Sequence, residues 1–321
     1  MTGEFELIDR VLRPLARPHS CVLHGIGDDC ALVQVPDGQA LAVTTDTLVE
    51  AVHFPSATAP ADLGWKALAC SLSDLAAAGA EPAWATLSLV LPEGDEAWLQ
   101  EFARGFAALA RRYSMALIGG DTVRGPVTMV TVQAAGHVPA AAFLKRSGAK
   151  PGDGVYVSGW PGEAAAALAR LDAGVDADLR ARLDRPQPRV ELGRFLRGRA
   201  SACIDVSDGL VADLGHVLAA SGAGARIEAD SLPISPRLQA LGESTATMRD
   251  WILRGGDDYE LCFTVPPDRE EAVMHPPKGC PPVARIGVIE TEPGLRIVDA
   301  TGCHRAEEFP GHDHFRSSAH D

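Results

Sequence analysis

A chain of 321 residues, 46% hydrophobic and 22% charged, has the length of about two globular domains and the composition of neither a disordered nor a fibrous protein. Asp and Glu number 43 against 29 Lys and Arg, and the net charge of −14 argues against nucleic acid or an anionic membrane, either of which would repel the chain at long range. Aromatic residues make up only 5%, so small and branched aliphatic side chains must fill the core, which suits layered α/β architecture.

The run from Ala40 to Thr45 reads as a buried strand ending on Asp46. A helix is expected from 61 to 78, because Leu63, Ala67, Leu68, Leu72, Leu75 and Ala76 recur at helical spacing and Gly79 can stop it. A strand at 84–91, an amphipathic helix at 96–113 and a short strand at 115–118 follow, the last running into Gly119-Gly120-Asp121. A strand at 127–135 closes the first half. The turn-rich basic stretch Arg146 to Asp153 marks a boundary region. Beyond it the pattern predicts strands at 155–158, 202–206, 226–229, 261–265 and 283–289, and helices at 163–171, 188–197 and 210–220. The expected organisation is two α/β domains, 1–140 and 141–315, with a disordered tail at 316–321.

Seven cysteines are widely spread without a CxxC or CxH pair, which argues against a disulfide framework and structural zinc. The N-terminus is acidic and lacks the basic-then-apolar order of a leader, and no apolar run approaches the roughly 18 residues of a membrane span. A cytoplasmic protein is expected. No Gly-Lys dipeptide occurs, so there is no Walker A loop, and the HExxH, GxSxG and EF-hand spacings are missing. Gly25-Ile26-Gly27-Asp28-Asp29-Cys30 begins like a dinucleotide fingerprint, but its two acids would repel a bare pyrophosphate.

Acids instead recur beside glycine at the expected strand ends: Asp28-Asp29, Asp46, Asp121, Asp205 with Asp208, and Asp257-Asp258. Any one of these could simply satisfy a turn or cap a helix. Together they offer hard oxygen ligands from several segments, which is what Mg²⁺ takes when phosphate oxygens and water complete its shell. Asp74 adds to the set, because an acid within an otherwise apolar helix needs a partner unless it sits on the exposed face.

In their order these motifs resemble the thiamine-monophosphate kinases, of the superfamily that includes aminoimidazole ribonucleotide synthetase and selenophosphate synthetase. The matching segments are Gly3-Glu4-Phe5-Glu6-Leu7-Ile8, Gly25 to Asp29, Thr44-Thr45-Asp46, His53-Phe54 and Leu72 to Ala76. They continue through Gly119 to Thr122, Arg146 to Asp153, Asp205 to Leu210, Gly255 to Leu261 and Gly311 to Phe315, so the resemblance spans nearly the whole chain.

The resemblance implies a two-domain synthetase-like α/β (α+β) fold, whose N-terminal domain carries a mixed sheet, binds metal and ATP, and forms a homodimer through that sheet. It implies ATP-dependent, in-line transfer of phosphate to thiamine monophosphate, giving thiamine diphosphate, with several Mg²⁺ ions. The implied metal ligands are Asp29, Thr44, Thr45, Asp46, Asp74, Asp121, Asp205 and Asp208. ATP contacts fall on Gly120, Asp121, Arg146 and Ser207, with Tyr113 near the nucleotide or, as an aromatic beside a helix end, in the core. Asp46, Asp121 and Arg146 are implied to be catalytic, and His53, Asp257 and His312 to touch the substrate.

Two positions depart from the family pattern. Asp257 stands where the family has a glutamate one methylene longer, and His312 stands where it favours Trp or Tyr. Both bear on substrate affinity rather than on phosphate chemistry. Two other readings compete. One is a superfamily member that uses ATP on another acceptor, such as a formylglycinamidine or selenide. The other is a non-catalytic ATP–Mg²⁺ sensor or scaffold.

Overall fold

A computed structural model describes residues 4–27, 29–300 and 302–305. They form two compact units: the residues through Leu75 with Ala80–Phe143, and Ala76–Gly79 with the residues from Leu144 on. Among the described residues no helix is long and apolar enough to cross a membrane.

The first unit opens with helical turns, α1 (Glu4–Leu7), a π turn (Ile8–Leu12) and a 3₁₀ turn (Arg13–Leu15), followed by the short antiparallel pair β1 (Val22–His24) and β2 (Leu32–Val33). Its main sheet holds β3 (Ala40–Val49), β4 (Glu81–Leu91), β5 (Ala116–Arg124) and β6 (Met129–Val138) in the order β3-β6-β4-β5. Only the β4–β5 pair is parallel. Two helices accompany it, α2 (Pro60–Ala77) and α3 (Glu96–Arg112). Asp95 caps α3 by accepting the N–H groups of Ala97 and Trp98 at 2.9 and 3.1 Å. Leu99, Phe102, Phe106 and Leu109 form its buried stripe. The two helices approach so closely that a Cβ on Gly105 would stand 1.7 Å from the Ala61 carbonyl oxygen and one on Gly64 2.1 Å from that of Phe102. Glycine is required there by space.

The sheet has two unlike faces, because successive side chains alternate. On one, Val132, Ala134, Leu87 and Leu89 are buried, and the Ser71 hydroxyl of α2 donates to the Val132 carbonyl at 3.1 Å. On the other, Trp84, Ala116, Ile118 and Ala135 pack with Val22, Val33 and Leu41, but beyond that cluster Val43, Thr45, Thr47 and Gln133 are exposed.

The second unit contains a seven-stranded sheet made from β7 (Gly154–Ser158), β8 (Ala202–Val206), β9 (Gly224–Glu228), β10 (Glu260–Val265), β11 (Val283–Glu290), β12 (Gly294–Asp299) and β13 (Gly302–Arg305). The order is β13-β12-β9-β11-β7-β10-β8, and only β12 and β9 run parallel. Its helices are α4 (Glu163–Ala169), α5 (Ala177–Asp184), α6 (Val190–Leu196), α7 (Leu210–Ser221), α8 (Pro236–Ala240), α9 (Thr245–Arg254) and α10 (Glu270–Val273). The core joins Val155, Val157, Ile204 and Val206 of the sheet to Leu210, Leu214 and Val217 of α7 and Ile252 of α9. Gly222 ends α7 in the left-handed conformation.

Three sequence expectations require correction. The strand expected to end on Asp46 continues to Val49, because β6 pairs with it residue by residue from Ala40↔Val138 to Val49↔Met129. The strand expected to stop at Ile118 continues through Gly119-Gly120-Asp121 to Arg124, held by β4. Asp46 and Asp121 therefore lie within strands, and so does Asp205, rather than in loops at strand ends. Helices α1, α5, α8, α9 and α10 and strands β1, β2, β12 and β13 were not anticipated. Asp176 caps α5 by accepting two backbone N–H groups at 3.0 Å, and Ser244 caps α9 by accepting one at 3.1 Å. The tail expected at 316–321 lies outside the described residues.

Candidate functional site

In the first unit, two acids meet on the buried face of the sheet. Asp46 of β3 accepts a hydrogen bond from the Ser71 hydroxyl of α2 at 2.7 Å. One turn further along α2, Asp74 accepts one from the Thr44 hydroxyl. Burial pushes the Asp46 carboxyl up to about 6, the neighbouring charge of Asp74 adds to the rise, and the Ser71 hydrogen bond opposes it. Asp74 is half-buried and engaged, so it is not the exposed helical acid that its sequence position also allowed. Thr44 and Thr45 serve opposite faces, and Thr45 is exposed.

Asp29, Gly120 and Asp121 line a cavity of about 470 Å³ between the N-terminal helical turns and β5. Asp121 Oδ1 accepts the N–H of Thr122 at 2.9 Å. The β5 backbone here presses on β4: a Cβ on Gly120 would lie 1.8 Å from the Leu87 carbonyl oxygen. Arg13 shares the cavity and pairs with Asp9 at 3.0 Å.

The sheet holds these two groups of acids apart. Asp46 pairs with Val132, Val132 with Leu87 and Leu87 with Gly120, so three strand spacings, about 14 Å, separate Asp46 from the Gly120–Asp121 position. Asp121 follows the outer-face row of Thr47, Thr131 and Ser88, opposite Asp46. Among the described residues no three His, Cys, Asp or Glu side chains converge as a metal cluster. His53 follows β3 in a turn, where its Nδ1 accepts the N–H of Val49 at 3.0 Å, which leaves the ring proton on Nε2. Tyr113 is buried at the end of α3 with the Arg112 guanidinium 5.5 Å from its ring centroid.

In the second unit, Ser207 and Asp208 follow β8, and the Gly255–Tyr259 segment packs directly on them. The N–H of Asp257 donates to the Ser207 carbonyl at 2.9 Å and that of Tyr259 to the Val206 carbonyl at 2.8 Å. Asp257 and Tyr259 both take left-handed backbone, at φ 64 and 51°. Such conformations cost on the order of 1–3 kcal/mol each and recur at ligand clamps. The Tyr259 hydroxyl donates to Asp257 Oδ1 at 2.9 Å. Asp205 is buried within β8. Arg146 is exposed in the loop before β7. The expected contact His312 lies outside the described residues, as does Asp28.

Several working residues escaped the sequence reading. Ser71 supports Asp46, and its signal was its place one helical turn before Asp74. Asp213 of α7 accepts the N–H groups of Ser207 and Asp208 at 2.9 and 3.1 Å. Burial drives its carboxyl up to about 7, against those two hydrogen bonds and the positive charge of Arg146, while the negative charge of Asp208 adds to the rise. It carried the same signal as Asp74, an acid in an apolar helix. Glu260, fully buried in β10, accepts from Arg182 at 2.9 Å, Arg189 at 2.7 Å and Ser158 at 2.6 Å. No local pattern marked that network, since its members are spread over a hundred residues.

The N-terminal domain of AIR synthase related proteins matches residues 27–138, and their C-terminal domain matches residues 150–300. The thiamine-monophosphate kinase of Salmonella typhimurium is 47% identical over 327 aligned residues, covering 98% of each chain. The crystal structure of thiamine-monophosphate kinase from Stenotrophomonas maltophilia K279a has a TM-score of 0.83 and 48% identity, over 92% of this chain and 96% of its own. The structure of AaThiL complexed with AMPPCP and TMP has a TM-score of 0.74 and 32% identity, over 92% and 93%.

Proposed function

Because the chain belongs to the AIR synthase related family, and within it to the thiamine-monophosphate kinases, we propose that it transfers the terminal phosphoryl group of ATP to thiamine monophosphate, releasing ADP and thiamine diphosphate. The observation that carries this reading is 47% identity to such a kinase across 98% of both chains. The complex of AaThiL with an ATP analogue and TMP supports the same pair of substrates here.

The acceptor is a phosphate oxygen that is already ionised near neutral pH, so no strong general base is needed. The obstacle is bringing two anions together. The donor set suits Mg²⁺, since a half-buried carboxylate raised to about 6 beside a second carboxylate, with a threonine hydroxyl at hand, is a hard-oxygen site short of positive charge. Thr44, Asp46 and Asp74 would hold one ion on the inner face. Asp29 and Asp121 would hold another at the cavity, Thr45 would serve the outer face, and Asp205 and Asp208 would be the ligands of the second unit. Bound Mg²⁺ screens the repulsion between donor and acceptor phosphates.

The chain's own side chains do the rest. Arg146 offers a forked set of donors to phosphate oxygens, and the Ser207 hydroxyl offers one more. Gly120 lets a phosphate approach the β5 backbone. His53, whose Nδ1 is fixed by the Val49 N–H, would touch the substrate through its imidazole ring. Asp257, held by Tyr259, presents a compensating negative charge.

A homodimer through the outer face of the four-stranded sheet also belongs to this reading. Its support is the exposed row of Val43, Thr45, Thr47 and Gln133, β-branched or polar residues on a sheet face with no described element over them. We assign 1–140 to metal, ATP and dimer contacts and 141–315 to the second α/β domain, in a cytoplasmic enzyme. Incubation with ATP, Mg²⁺ and thiamine monophosphate, followed by chromatography, should show thiamine diphosphate. Folded protein giving none above a no-enzyme control overturns the assignment, and ATP–Mg²⁺ binding without turnover would identify a sensor.

A further inference from the structure

Helix α7 grips both loops of the second unit that the proposed reading assigns to the nucleotide. Near its N-terminal end, Asp213 spends one oxygen, Oδ2, on the backbone N–H groups of Ser207 and Asp208. Asp213 is 3% exposed, and those bonds run back to the preceding loop rather than to its own helix. At the other end Ser221 Oγ accepts the N–H groups of Gly148 and Ala149 at 3.1 and 3.2 Å and donates to the Arg146 carbonyl at 3.4 Å. The two side chains stand eight positions apart, about 12 Å along a helix.

The loops so held expose what a nucleotide needs. Among the described residues neither the Ser207 hydroxyl nor the Asp208 carboxylate has a hydrogen-bond or ion-pair partner of its own, so the loop backbone is fixed while both side chains stay available. Arg146 is exposed, and its charge reaches Asp213. A packed helix is a semi-rigid spacer of about 1.5 Å per residue. Joining two loops to its ends fixes the separation between a forked cation on one side and a hydroxyl and carboxylate on the other.

We propose that α7 is the positioning element of the nucleotide site, with Asp213 and Ser221 as positioning residues that set the distance between Arg146 and the Ser207–Asp208 pair. The proposal rests on the assignment of those three residues to ATP and Mg²⁺. Neither Asp213 nor Ser221 touches the reacting atoms, and both act through the loops they hold.

The test uses the full chain with Asp213→Ala, Asp213→Asn and Ser221→Ala, measuring steady-state kinetics against each substrate and calorimetric binding of ATP–Mg²⁺. Asp213→Ala should raise the KM for ATP about tenfold or more while the KM for thiamine monophosphate stays within about twofold. Asp213→Asn keeps a carbonyl oxygen that can accept the same two N–H groups, and it should restore ATP affinity to within about threefold of the parent. Ser221→Ala, at the far end of the helix and outside the core, should weaken ATP about threefold or more, and it decides the matter if Asp213→Ala does not fold.

Wild-type ATP affinity in Asp213→Ala or in Ser221→Ala overturns the proposal. So does an Asp213→Asn variant as impaired as Asp213→Ala, or an equal rise in both KM values. If the parent chain binds ATP–Mg²⁺ but forms no thiamine diphosphate, the kinase reading fails while calorimetry of the variants still judges the helix. A parent that binds no ATP–Mg²⁺ sinks both.

Discussion

Replacing Glu260 with Gln tests how the second unit is held together beneath Asp257. Glu260 is fully buried, and its two oxygens are met by Arg182 at 2.9 Å, Arg189 at 2.7 Å and the Ser158 hydroxyl at 2.6 Å. Arg182 also pairs with the fully buried Glu163 at 2.9 Å. Glutamine keeps the shape but removes the charge and turns an NH₂ toward a guanidinium. Removing one partner of a buried ion pair costs about 3–5 kcal/mol. At about 2–4 °C per kcal/mol for a unit of this size, Tm should fall by about 6–20 °C.

The pH dependence supplies an internal control. Burial alone would raise the Glu260 carboxyl, yet Arg189 and then Arg182 outweigh it and hold it below the ordinary value of 4.5. A depressed carboxyl contributes stability that is present above its unfolded value and lost as pH falls through the folded one. The advantage of the parent over Glu260→Gln should therefore stay level between about pH 6 and 8 and narrow only below about 4.5, as followed by calorimetric scans or circular dichroism. A Tm change under about 2 °C at pH 7, or a gap that closes between about pH 6 and 8, would refute the reasoning.

Two further substitutions probe the first unit. Asp46→Asn keeps an acceptor for Ser71 but removes a charge from the inner-face acid pair, so kcat at saturating Mg²⁺ should fall about 100-fold or more while cooperative urea unfolding persists. A variant within about threefold of parental kcat would mean that Asp46 serves only the sheet. Gly105→Ala puts a methyl 1.7 Å from the Ala61 carbonyl oxygen and should destabilise the α2–α3 pair by about 1–3 kcal/mol in denaturant titration. An unchanged urea midpoint would mean the helices can separate at no cost.

The periodic segments were readable because their signals are local. Leu63, Leu68, Leu72 and Leu75 mark α2, and Gly79 follows it, because a helix repeats its buried face every few residues. Strand ends were not readable, because partners elsewhere set them. Nothing near Asp46 says that β6 will pair as far as Val49, and nothing near Ile118 says that β4 will carry β5 through two glycines and an aspartate.

Helix α5 has a weakly apolar face, and β12 is broken by Arg296 and bounded by glycine and aspartate, so neither rises above its flanks. The candidate residues themselves stood out, since acids beside glycine in apolar surroundings need a chemical reason. Their grouping did not. That Asp257 lies on Ser207, fifty positions earlier, follows from β8 pairing with β10. The inner and outer placement of Thr44 and Thr45 required knowing which face α2 covers.

The unbroken ten-residue ladder between β3 and β6 has an evolutionary corollary. Alternation means that gaining or losing one residue before Thr44 within β3 would turn Thr44 and Asp46 to the outer surface and drive their neighbours beneath α2. Point substitution along this strand alters one contact at a time, whereas an insertion or deletion inverts the whole surface at once. Descendants of this chain should thus vary in the composition of β3 but keep its length, with indels confined to the loops on either side.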